Sequence, residues 1–170
     1  MRMLLCLFFN FSFLVANAQL EQMRALFFNA SNDQGIKNFY QSAGAITETS
    51  GLTLNAYKGT ATAMYAGIAS GVSEKIGFFN VGKDLLEKSV NGDWYNPEIR
   101  FLRFSVQSEV PFFLNYSSKL KEDADIIIYA IEKNSFDWKI PFWQNAITFM
   151  LNSDELSSDQ TQKLKKCKLS

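Results

Sequence analysis

Residues Ser117–Lys133 read SSKLKEDADIIIYAIEK, and the fold class turns on them. Taken alone, Ile126-Ile127-Ile128-Tyr129 is a β-branched and aromatic run that would suit a buried strand. In the longer window, Leu120, Ala124, Ile127, Ile128 and Ile131 recur at helical spacing. A period of 3.6 held across the window outweighs a short apolar run, so the stretch is predicted as a helix.

The same spacing extends in both directions. Upstream, Pro97–Glu109 places Ile99, Leu102 and Val106 at i, i+3 and i+7, and Phe101 and Phe104 add a second apolar face. Arg100, Arg103 and Gln107 form a narrow polar stripe between them, the pattern of a central helix. Asn96 followed by Pro97 marks its start. Further upstream, helices are predicted over Gln19–Ala30, Gln34–Ile46, Leu52–Gly71 and from Ser73 to Val90, with Ser31-Asn32-Asp33, Ser50-Gly51 and Asn91-Gly92 as breaks. Downstream, Pro141–Leu151 and Ser158–Lys166 complete the set. The expected fold class is therefore all-α: a single-domain helical bundle, or a short array of helical hairpins, of six to eight helices.

In Leu52–Gly71 the residues Gly59, Ala63, Gly67 and Gly71 repeat every fourth position. That spacing puts them on one face, and small side chains let a neighbouring backbone approach closely. Glycine costs about 1 kcal/mol relative to alanine inside a helix, so the face is expected to meet another helix of the same chain. Asn55 and Lys58 interrupt the apolar run and argue against a membrane-helix motif.

The N-terminus has export features. Arg2 precedes an apolar stretch, Leu4–Val15, broken by Asn10 and Ser12, and Ala16-Asn17-Ala18 places small residues at a signal-peptidase site. The expected organisation is a signal peptide over 1–18, cleaved after Ala18, and an all-helical domain over 19–170. The localisation that follows is periplasmic or secreted. Cys6 leaves with the leader, so Cys167 is the one thiol of the mature chain and no internal disulfide can form. No later stretch is apolar enough to span a bilayer.

Composition excludes several chemistries. The 170 residues hold 17 basic and 17 acidic side chains, which gives no general attraction for nucleic acid or anionic lipid. There is no histidine, which removes Ser-His and Cys-His pairs and histidine-ligated metals. There is no calcium loop, phosphate loop or nucleophile elbow. No catalytic, cofactor or metal residues are assigned. Glu122, Asp123 and Asp125 form an acidic cluster that reads as a solvated helix face. Glu98, Arg100, Arg103 and Asp123 are the polar set to single out, either an internal salt-bridge network or an anion site. Cys167 lies among Lys163, Lys165, Lys166 and Lys168, which should lower its pKa. Asn29 and Asn115 head glycosylation sequons.

Two resemblances follow from particular residues. In Leu52–Arg100, the order Gly59, Ala66, Phe79, Leu86 and Asn96-Pro97 resembles that of tetratricopeptide-type repeats. The distance from Gly59 to Pro97 exceeds what a repeat of about 34 residues allows. The segments Ala56-Tyr57-Lys58-Gly59, Asn96–Phe104 and Pro111–Tyr116, with Asp123 after them, are similar to a group of uncharacterised exported helical proteins from Gram-negative bacteria. That resemblance implies a helical fold and an envelope setting, and no activity. The expected function is a non-enzymatic helical module, protein-binding or structural, with an envelope protein as its kind of partner. The alternative is a carrier of a small apolar or acidic ligand, since the 12 Phe, 3 Trp and 6 Tyr that follow residue 18 could line an inter-helix pocket. A hydrolase built on carboxylates alone is the third reading.

Overall fold

The computed structural model describes residues 17–169. Most of the predicted leader therefore lies outside the described residues, and positions 17 and 18 open the first helix. The chain is all-α, with eight helices and no strand among the described residues. They are α1 (17–29), α2 (Asp33–Ala43), α3 (Leu52–Ile68), α4 (Val72–Gly92), α5 (Pro97–Glu109), α6 (Leu120–Glu132), α7 (Pro141–Asn152) and α8 (Ser158–Leu169). Short 3-10 turns cover Glu48–Ser50 and Phe112–Leu114. No helix among the described residues is long and apolar enough to cross a membrane. The fold forms two compact units, one ending at Gly82 and one beginning at Lys83.

In the first unit, Asn32 caps α2 by accepting the Gly35 N–H at 2.9 Å. The turn from α1 into α2 is so tight that a Cβ on Gly35 would lie 2.3 Å from the Asn29 carbonyl oxygen. Phe27, Phe39 and Tyr57 form an edge-to-face chain through α1, α2 and α3, with centroids 6.2 and 6.4 Å apart. Met23, Ala43, Ile46, Leu54 and Ala61 complete this core.

The small-residue face of α3 behaves differently along its length. A Cβ on Gly82 of α4 would stand 2.6 Å from both the Ala63 nitrogen and the Gly59 oxygen, so the backbones of α3 and α4 touch there. Gly59 and Ala63 are thus in the expected helix–helix contact. Gly67 and Gly71 are not: a Cβ at either meets nothing within 4 Å. Helices that cross at an angle approach closely over only a turn or two. Gly67 lies a turn beyond the contact and is exposed, and Gly71 follows the end of α3 at Ile68.

In the second unit α5 is the hub, as its two apolar faces imply. Every residue from Glu98 to Gln107 is buried. Asn96 caps it, accepting the Glu98 and Ile99 N–H groups at 3.1 and 3.2 Å. Phe101 packs edge-to-face on Phe142 and Phe149 of α7. Helix α6 buries Leu120, Ala124, Ile127, Ile128 and Ile131 and leaves Tyr129 exposed, so the helical period governs the isoleucine run. The α8 residue Gln160 ties back to α6, donating to the Lys121 carbonyl at 2.9 Å and to Asp125 at 2.7 Å. Cys167 departs from expectation: burial and the Glu132 charge push its thiol pKa up, not down.

Candidate functional site

Arg100 and Arg103 stand one turn apart on α5, so their side chains leave the same face. Both are fully buried. Asp123 meets them from the first turn of α6, where the helix dipole also favours a carboxylate. Arg103 grips Asp123 with a two-pronged fork, Nε to Oδ2 at 2.8 Å and Nη2 to Oδ1 at 2.7 Å. Arg100 Nη1 donates to the same Oδ1 at 2.8 Å and to Glu122 Oε1 at 2.8 Å. The remaining Arg103 nitrogen, Nη1, donates to Glu87 Oε2 at 2.8 Å. Tyr116 donates its hydroxyl to the other Glu87 oxygen at 2.7 Å. Lys119 closes the set on Glu122 at 3.0 Å. Arg100, Arg103 and Lys119 are therefore balanced by Glu87, Glu122 and Asp123.

The electrostatics follow from this arrangement. Burial works against the Arg103 charge, but Asp123 and Glu87 outweigh it, and its pKa is raised. Burial likewise raises the Asp123 carboxyl, against the opposing pull of Arg103 and Arg100. Burial acts in the same sense on Glu122, but Lys119 and Arg100 overcome it and hold that carboxyl below its ordinary value. The Tyr116 phenol is raised, first by burial and then by donation to Glu87.

The network reaches two surface segments that flank α5. At its N-terminal end, Arg100 Nε donates to the Trp94 carbonyl at 2.8 Å, and the guanidinium carbon lies 4.0 Å from the centre of the Trp94 ring. The turn so held exposes Tyr95 to 73%. At its C-terminal end, Tyr116 and the Lys119 N–H, which donates to Gln107 Oε1 at 3.2 Å, hold the segment carrying Phe112 and Phe113. These two rings are 91% and 71% exposed.

Of the four residues singled out from sequence, Arg100, Arg103 and Asp123 come together. Glu98 is buried in the first turn of α5, and Asp123, Glu122 and Glu87 each place a carboxylate oxygen within 2.8 Å of the arginines. Glu122 was legible as part of the acidic cluster. Glu87 is on another helix, and no local spacing marks it. The acidic cluster itself is divided, with Glu122 and Asp123 on the arginines and Asp125 on Gln160.

Chemically, all three Arg103 nitrogens face acceptors within the protein. Arg100 Nη2 is buried without a hydrogen-bond partner, but the surrounding carboxylates leave no surplus positive charge for an anion. The geometry is that of an internal salt-bridge network. Elsewhere, a shallow concavity of about 350 Å³ lies along α8, lined by Leu156, Ser158, Thr161, Gln162 and Lys165. None of these residues is aromatic. Comparisons with family models, curated proteins and solved structures find no match to this chain.

Proposed function

We propose that the chain is an exported, non-enzymatic helical module of the cell envelope that binds another protein through the Trp94–Tyr95 turn. The observation that carries this reading is Tyr95, 73% exposed beside a tryptophan clamped by the buried Arg100. Tyrosine and tryptophan dominate interface hot spots. A turn already ordered in the free protein loses little further entropy on binding. The Met1–Ala18 leader supports the envelope setting. The Ala56–Gly59, Asn96–Phe104 and Pro111–Tyr116 segments support a place among exported helical proteins of Gram-negative bacteria. The absence of histidine and the pairing of Arg100 and Arg103 with Asp123, Glu122 and Glu87 support a non-catalytic role.

The test is affinity capture from the native envelope, with wild type and Tyr95→Ala as paired baits and mass spectrometry as readout. A specific protein should be held by wild type and held at least about tenfold less by the variant, at equal melting temperature. Equal capture by both baits refutes the reading. So does a co-purifying small molecule with no specific protein, which would favour a carrier.

A further inference from the structure

The segment between α5 and α6 has a surface that the Tyr95 reading does not use. Its tip is a 3-10 turn, Phe112–Leu114, entered through Pro111 and left through Asn115 in the left-handed conformation. Phe112 and Phe113 project from it, edge-to-face at 6.3 Å and almost wholly exposed. From Val110 to Ser118 there is no charged residue.

The turn also satisfies part of its own backbone. Pro111 has no N–H to desolvate. The Leu114 N–H donates to the Pro111 carbonyl and the Asn115 N–H to the Phe112 carbonyl, both at 3.0 Å. A backbone at a lipid surface gains by satisfying donors internally, and these two bonds do so at the C-terminal half of the turn. Its base is fixed, because Tyr116 is buried and bonded to Glu87 and the Lys119 N–H is bonded to Gln107. The rings are therefore presented on an ordered, exposed, uncharged tip.

We propose that the Pro111–Asn115 turn is a membrane-interface anchor that inserts Phe112 and Phe113 into a lipid surface. Two exposed rings on an uncharged tip suit the headgroup boundary, where aromatic side chains partition. The lack of charge over the tip means that attachment is apolar and needs no anionic lipid. It is peripheral and reversible, weaker than a single myristoyl chain with its constant of about 10⁴ M⁻¹.

The test is flotation of the full chain with phosphatidylcholine vesicles. Wild type should float with neutral vesicles equally at about 0.05 M and about 0.5 M salt, since no charge pair is there to screen. The double variant Phe112→Ser/Phe113→Ser should partition at least about tenfold less. Its melting temperature should match wild type, because neither ring is buried. Phe112→Asp is the second variant and should show the same loss. Wild type that stays unbound overturns the proposal. Binding only to anionic vesicles at low salt, or equal flotation by both variants, overturns it as well.

Discussion

Asp123→Asn tests the α5 network where it is most concentrated. The substitution keeps the size of the side chain and removes its charge. In the native protein the carboxylate receives three guanidinium N–H donors at 2.7–2.8 Å, from arginines that are 0% and 2% exposed. An ion pair at about 4 Å is worth about 4 kcal/mol at an effective dielectric constant of about 20. Relief of the carboxylate's own desolvation offsets part of that loss, and Glu122 and Glu87 still face the arginines. Breaking a buried pair by removing one partner costs about 3–5 kcal/mol in general. The expected loss lies toward the lower end of that range, a large share of a typical stability of about 5–15 kcal/mol. The full range corresponds to a fall in melting temperature of roughly 6–20 °C for a chain of this size. Trp94, Trp138 and Trp143 all belong to the unit beginning at Lys83, so tryptophan fluorescence in a urea titration reports on the unit that holds Asp123. Arg103→Met should cost a similar amount, and adding Asp123→Leu to it should recover part of the loss. A loss below about 1 kcal/mol for Asp123→Asn would be incompatible with a buried network, which cannot lose its central carboxylate so cheaply.

Other expectations concern both units. Gly82→Ala should destabilise the first unit by about 1–3 kcal/mol through backbone overlap with Gly59 and Ala63, only partly offset by alanine's better helix propensity; hydrogen exchange in α3 would show it. Gly67→Ala, facing open space, should instead be neutral or stabilising by up to about 1 kcal/mol. Tyr116 is raised above its ordinary value of about 10, so its contribution is complete below that pH and is lost as the unfolded chain ionises first. The stability of wild type relative to Tyr116→Phe should therefore decline by about 1.4 kcal/mol per pH unit above pH of about 10, measured in alkaline urea titrations.

How much of this was legible in the sequence depends on whether the deciding signal was local. Asn96, Pro97 and the apolar spacing after them place α5 at Pro97–Glu109, as the structure has it. The Ile126–Ile128 run was resolved by a period that its neighbours carry. The start of α6 was not local. The predicted helix begins at Ser117, but Tyr116 is drawn to Glu87 and the helix begins at Leu120. Glycine spacing announced a close contact on α3 but not its extent, because that depends on where α4 meets it and on Gly82, which no four-residue repeat in its own helix marks. The arginines announced a need for carboxylates. Which carboxylates answer is set by packing: Glu87, 16 residues before Arg103 and on another helix, is one of them.

Arg100 and Arg103 act as struts whose charges are paired within the protein, holding the aromatic turns on either side of α5. Thermal melts in phosphate, in citrate and in chloride at matched ionic strength test it most directly. A strut network predicts the same melting temperature in all three for wild type, and a lower but equally anion-independent one for Arg103→Met. An anion site would stabilise wild type by mass action in phosphate or citrate. Anion-dependent stabilisation of wild type that vanishes in Arg103→Met would show that the arginines hold an anion instead.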